Sequence, residues 1–231
     1  MTTECIVLAG GLGTRLRSVV ADKPKCMAPI GNQPFLYYLL QYLAEQGITH
    51  VVLSLGYKSE QVIDWCQQTQ LPLEISYVIE SEPLGTGGGI VLATSRIKGN
   101  EFFVANGDTF FHVPLADYYR FHREKQSVLS LALKPMQQFE RYGSVELDEN
   151  ACITAFLEKK FCAQGLINGG IYLTSKEYLQ GLQLPQQFSF EKEVLEQQVK
   201  NKQVYGFIAD QYFIDIGIPE DYAQAQRDFL K

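Results

Sequence analysis

The chain opens on a strand that runs straight into glycines. Cys5 to Ala9 is a short apolar run, and Gly10, Gly11 and Gly13 follow it before Thr14, Arg15, Leu16 and Arg17. An apolar run of that length, bounded by glycine, reads as a buried parallel strand. The glycines free backbone N–H groups to surround an anion. Arg15, and Lys25 in Lys23-Pro24-Lys25-Cys26-Met27-Ala28-Pro29, add positive charge where a phosphate would sit. The stretch points to a nucleoside triphosphate site and to chemistry on phosphorus.

Two common phosphate loops do not fit. A Walker A loop needs Gly-Lys-Ser/Thr after its spacer, and none is present. A dinucleotide fingerprint needs a third glycine, where this chain has Leu16, with Arg15 inside the loop. A nicotinamide-dependent dehydrogenase is therefore disfavoured.

The first half alternates strand and helix signals. Pro34 to Gln46 carries Leu36, Leu39, Leu40 and Leu43 at helical spacing and stops before Gly47. His50 to Leu55 reads as a strand, Ser59 to Gln67 as a helix, Leu73 to Ile79 as a strand, Thr86 to Ile97 as a helix and Glu101 to Ala105 as a strand. That order predicts an α/β fold with a mainly parallel sheet and helices on both faces. Ligands of such sheets bind beyond the carboxyl ends of the strands. The glycine loop and Asp108, which ends Asn106-Gly107-Asp108, both follow strands and should share one edge.

The second half is less regular. Ala116 to Lys125 and Glu191 to Lys200 read as helices, and Pro219 opens another. Val128 to Leu133, Ser144 to Leu147, Ile153 to Phe156, Gly170 to Leu173, Val204 to Ile208 and Tyr212 to Ile214 read as strands. No linker or repeat interrupts the 231 residues, so one domain is expected.

A net charge of −6 argues against nonspecific nucleic-acid binding. The five cysteines are scattered without a Cys-x-x-Cys pair, so zinc and redox motifs are unsupported. With no leader-like segment and no long apolar run, a cytoplasmic protein is expected.

Leu8 to Pro29 resembles the signature of the sugar-1-phosphate nucleotidyltransferases. Further matches are Glu82-Pro83-Leu84-Gly85-Thr86-Gly87-Gly88, Asn106-Gly107-Asp108, Arg141-Tyr142-Gly143, Phe156-Leu157-Glu158-Lys159, Asn168-Gly169-Gly170-Ile171-Tyr172 and Phe213-Ile214-Asp215-Ile216-Gly217. Cys26 departs from the proline more usual there. The resemblance implies a Rossmann-like mixed sheet of the nucleotide-diphospho-sugar transferase type. It also implies a nucleotide-binding half over 1–110 and a sugar-phosphate-binding half over 111–231. Within the family, Asn106 to Phe111, Gly165 to Tyr172 and Phe213 to Tyr222 are similar to the group that transfers GMP from GTP to D-glycero-α-D-manno-heptose 1-phosphate for bacterial surface glycans. Mannose-1-phosphate guanylyltransferases and muramate- or hexose-1-phosphate uridylyltransferases share much of the pattern.

The reaction so implied joins two polyanions, so positioning and positive charge matter more than a protein nucleophile. The candidate catalytic residues are Arg15, Lys25, Asp108 and Asp215. Asp215 lies inside an apolar run, where a carboxylate is costly without a partner. Mg2+ held by Asp108 and Asp215 with phosphate oxygens and water would satisfy both, as the resemblance implies. Leu8, Ala9, Gly10, Gly11, Gly13 and Thr14 form the nucleotide loop. Glu80, Gly85 and Thr86 match the base-contacting region. A carboxylate at Glu80 can accept from guanine N1–H and the exocyclic amine, whereas an exposed acidic loop is the competing reading. Gly143, Glu158, Lys159, Asn168 and Gly169 are the candidates for the sugar phosphate. A binding paralogue without activity should have lost a metal or phosphate ligand, and Arg15, Lys25, Asp108 and Asp215 are all present. The partners expected are GTP and a sugar 1-phosphate, with a homodimer left open.

Overall fold

The computed structural model describes residues 1–11, 16, 20 and 22–230. Gly13, Thr14 and Arg15 lie outside the described residues. The elements in chain order begin with β1 (Glu4–Leu8), β2 (Pro29–Ile30), β3 (Gln33–Pro34), α1 (Phe35–Glu45) and β4 (His50–Leu55). They continue with α2 (Ser59–Gln68), β5 (Glu74–Ile79), α3 (Gly85–Ala93), β6 (Glu101–Asn106), β7 (Thr109–Phe111) and α4 (Leu115–Glu124). Next come β8 (Leu129–Phe139), β9 (Ser144–Leu147), β10 (Ile153–Phe156), β11 (Cys162–Ser175) and α5 (Lys176–Gly181). The last are α6 (Glu196–Gln198), β12 (Val204–Ile208), β13 (Phe213–Asp215) and α7 (Pro219–Phe229).

The main sheet has the order β10-β9-β11-β6-β1-β4-β5, with β8 on β11 and β12 on β8. β5, β4, β1 and β6 are parallel, as the alternating first half predicts. β11 pairs antiparallel with β6, and β12 parallel with β8. The sheet is thus mixed and mainly parallel on the nucleotide-loop side. Its strand order reverses between β1 and β6, which opens a crevice at their carboxyl ends.

Alternate side chains of the buried strands face opposite layers. Cys5, Val7, Phe103 and Ala105 join α1, α2, α4 and α7 in one core. Ile6, Phe102 and Val104 join α3 and α5 in the other. Helix α1 buries Leu36, Leu39, Leu40 and Leu43. Its end is closed by Gly47 N donating to Ala44 O at 2.9 Å and Ile48 N to Leu43 O at 3.0 Å, a pattern that satisfies carbonyls the helix leaves open.

Three sequence expectations need correction. The strand expected over Gly170 to Leu173 is the 14-residue β11. The one expected over Val128 to Leu133 extends through Pro135 to Phe139. Glycine and proline are poor strand residues, but the β8–β11 ladder includes Pro135 and absorbs Asn168-Gly169-Gly170 with a register shift between Asn168 and Tyr172. The helix expected over Glu191 to Lys200 begins as a wide π-helical turn, Glu191–Leu195, before α6. No helix among the described residues is long and apolar enough to cross a membrane.

Candidate active site

A cleft of about 730 Å³ opens at the reversal point of the sheet. Leu8, Ala9, Gly10 and Gly11 from the end of β1 line it, with Gly56 beyond β4 and Glu80 beyond β5. Asn106 at the end of β6, with Gly107 and Asp108 beyond it, completes that edge. Lys25, Gly85, Thr86, Glu191 and Gly217 close the sides.

Lys25 begins a short turn, Lys25–Met27, anchored by the buried Cys26 and Met27. Its Nζ donates to Asp108 Oδ2 at 2.5 Å and to Asp215 Oδ1 at 3.3 Å. The two acids meet because β13 pairs antiparallel with β7, placing Asp215 opposite Thr109. Ile216 N donates to Asp108 O at 3.1 Å and locks the two turns together. Gly217 N holds Asp215 Oδ1 at 2.8 Å. Burial first, then the charge of Asp108, pushes the Asp215 carboxyl above the ordinary aspartate range, against the pull of Lys25. Burial, then Asp108, likewise raises the Cys26 thiol to about 12, so it is an inert neighbour.

A Cβ at Gly217 would stand 3.0 Å from Asp215 Oδ1 and 3.2 Å from Lys25 Nζ. The glycine therefore keeps a side chain from crowding the Asp215 carboxylate and the Lys25 ammonium. Two carboxylates around one cation suit a hard divalent ion that takes its other ligands from phosphate and water. Among the described residues, no cluster of three or more His, Cys, Asp or Glu side chains forms a protein-only metal cage.

The far end of the cleft is built by a clasp from the second half of the chain. Phe188 N donates to Leu84 O at 2.9 Å, and Gly87 N to Phe188 O at 3.0 Å. Gly85 has φ +75°, and a Cβ there would stand 2.4 Å from Phe188 O, so only glycine fits. Thr86 Oγ1 donates to Glu191 Oε2 at 2.7 Å and accepts from Phe190 N at 2.9 Å. Ser189 Oγ donates to the same Glu191 oxygen at 2.8 Å. The Thr86 hydroxyl is thus engaged by the clasp.

Glu80 accepts from Leu84 N at 3.0 Å through Oε2 and from Ser54 Oγ at 3.3 Å through Oε1. It orders the loop that leads to α3 while facing the cleft.

Of the residues expected on the sugar side, Asn168 and Gly169 lie on β11 next to the Asp108 turn. Gly169 packs on Phe111, and Gly170 faces the Asn106 side chain. Asn168 Nδ2 donates to Tyr172 Oη at 3.0 Å. Gly143 lies beside Leu157 O, so its loop and the one carrying Glu158 and Lys159 are neighbours. Glu158 and Lys159 are exposed and stand outside the lining of the cleft. In the same loop as Gly143, Arg141 donates to Asp221 of α7, and the charge of Asp215 helps hold the Tyr142 hydroxyl protonated, after burial. Sequence reasoning missed Glu191 and Gly217 as cleft residues. For Glu191 the signal was Ser189-Phe190-Glu191 after a proline-containing turn, which reads as an ordinary helix start, and for Gly217 it was the end of the Phe213 to Gly217 match.

The family model described as "Nucleotidyl transferase" matches residues 4–231. The chain belongs to the nucleotidyl transferase family. A D-glycero-alpha-D-manno-heptose 1-phosphate guanylyltransferase of Aneurinibacillus thermoaerophilus is 47% identical over 225 residues, covering 97% of both chains. One of the same name from Campylobacter jejuni is 47% identical over 219 residues, covering 95% of this chain and 96% of that one. Among solved structures, HddC from Yersinia pseudotuberculosis, complexed with GMP-PN, superposes with a TM-score of 0.88 at 37% identity, covering 99% of this nucleotidyltransferase and 100% of that chain. The fold that forms the crevice at the β1/β6 reversal is thus shared with solved nucleotidyltransferase relatives.

Proposed function

We propose that this nucleotidyltransferase moves GMP from GTP to D-glycero-α-D-manno-heptose 1-phosphate, and that the GDP-heptose feeds a bacterial surface glycan. The convergence of Lys25, Asp108 and Asp215 at one end of the cleft carries the reading. The similarity to two heptose 1-phosphate guanylyltransferases supports its substrates. A phosphate oxygen of the sugar phosphate attacks the α-phosphorus. The bond from that phosphorus to the bridging oxygen breaks, and pyrophosphate leaves with the electron pair.

The residues act by holding charge in place. Lys25 pairs with phosphate oxygens, and Gly10, Gly11 and Gly13 bring backbone N–H groups to the triphosphate. Arg15 and Thr14 complete that loop, with Leu8 and Ala9 as its base. Asp108 and Asp215 would hold Mg2+, which supplies Lewis-acid neutralisation of the phosphates. The two carboxylates converge closely enough to share one cation, Lys25 Nζ, and that supports the fit. Glu80 accepts from guanine, Gly85 and Thr86 shape the base pocket, and Gly143, Glu158, Lys159, Asn168 and Gly169 receive the sugar phosphate. The 1–110 half thus serves the nucleotide and 111–231 the acceptor.

The test is a pyrophosphate-release matrix of GTP, UTP, ATP and CTP against heptose, mannose, glucose and muramate phosphates. The pair GTP and heptose 1-phosphate should give the highest kcat/KM. A clear preference for UTP, or for mannose 1-phosphate, would overturn the specificity.

A further inference from the structure

The cation shared by Asp108 and Asp215 is a side chain of the protein itself. Lys25 Nζ stands 2.5 Å from Asp108 Oδ2 and 3.3 Å from Asp215 Oδ1. A magnesium ion held by both carboxylates would need the same space, because its oxygen ligands sit at ~2.1 Å. An ammonium and a divalent ion repel too strongly to share a partly buried position. The Lys25 side chain is only 13% exposed.

We propose that Lys25 fills the cation position of the free protein and yields it only when nucleotide phosphates arrive, so that metal and nucleotide bind as one event. The proposal rests on the reading that Asp108 and Asp215 hold the metal. Lys25, Asp108, Gly10 and Gly11 line one cleft, so the ammonium faces the same space as the glycine loop proposed to receive the phosphates. With phosphates present, the displaced ammonium regains anionic partners and the metal gains further oxygen ligands. Without them, the metal must expel a cation that has lost both carboxylates. Linkage then requires that metal and nucleotide tighten each other. A lysine that served only as a phosphate ligand would leave metal binding to the free protein unchanged when removed.

Mn2+ affinity, followed by electron paramagnetic resonance and calorimetry, reads the exchange directly. The wild type should bind Mn2+ weakly alone and about tenfold or more tightly with GTP in the absence of sugar phosphate. Lys25→Met should bind Mn2+ about tenfold more tightly than wild type without nucleotide, and Lys25→Arg should stay as weak as wild type. Equal or weaker Mn2+ binding by free Lys25→Met, with folding checked by circular dichroism, overturns the exchange. Should Lys25→Met fail to fold, wild type binding Mn2+ as tightly alone as with GTP overturns it equally. Mn2+ in the GTP complex that ignores both Asp108→Asn and Asp215→Asn would instead sink the metal reading beneath it.

Discussion

Asp215 lies directly opposite Thr109 in the β7–β13 pair, and that register alone brings its carboxylate to the turn carrying Asp108. Residues more than a hundred positions apart thereby share Lys25 at 2.5 and 3.3 Å. Replacing either acid by its amide keeps the shape and removes the charge. Asp108→Asn and Asp215→Asn should each lower turnover by about a hundredfold or more. Steady-state pyrophosphate release checks this, and melting temperatures near wild type would separate lost chemistry from lost fold.

Glu80 has two jobs that substitution can divide. Glutamine keeps an acceptor for Leu84 N and so preserves the loop, but its amide cannot accept from guanine with both ends. Glu80→Gln should raise the KM for GTP more than that for UTP. Glu80→Ala should release the loop and weaken all triphosphates alike. Nucleotide binding followed by calorimetry tells the two apart.

The clasp over α3 should be measurable as stability. Thr86→Val leaves Glu191 Oε2 short of one donor and Phe190 N without its acceptor, at a cost of about 1–3 kcal/mol. Gly85→Ala forces a side chain into a left-handed position against Phe188 O and should cost about as much or more. Gly181→Ala meets nothing within 4 Å and should be neutral. Urea unfolding of the three variants provides the comparison.

His122 gives a pH dependence with a definite sign. Burial pushes its imidazole from 6.5 down to about 4, and its Nδ1 lies 2.7 Å from Ser130 Oγ. The unfolded chain takes up a proton below pH 6.5, while the folded one stays neutral until about 4. Stability from this group is complete above 6.5 and is lost as the pH falls through that window, by an amount on the order of a few kcal/mol. His122→Gln should therefore lose its disadvantage against wild type on acidification. A gap that stays constant from pH 7 to 4 would contradict the assignment.

The buried half of the sheet was legible because β1, β4 and β6 are apolar runs that meet glycines or turn residues where they end. The positions of Gly10, Gly11 and Asp108 on one edge followed from that order alone. The long pair β8–β11 was not legible. Pro135 and Asn168-Gly169-Gly170 carry local stop signals that only the tertiary ladder overrides. Gly85 reads from the resemblance as part of the base-contacting region, yet its need for glycine is explained by the backbone of Phe188, far along the chain. Lys25 as the counter-ion of both acids also escaped the sequence, since no spacing rule links a turn near the start to two strands near the middle and the end.

A crystal structure of the protein with GTP and Mn2+ tests the central claim most directly. Anomalous scattering should place the metal between the carboxylates of Asp108 and Asp215, touching phosphate oxygens, with Lys25 Nζ moved onto the triphosphate. A metal bound away from both acids, with Lys25 still bridging them, would contradict it.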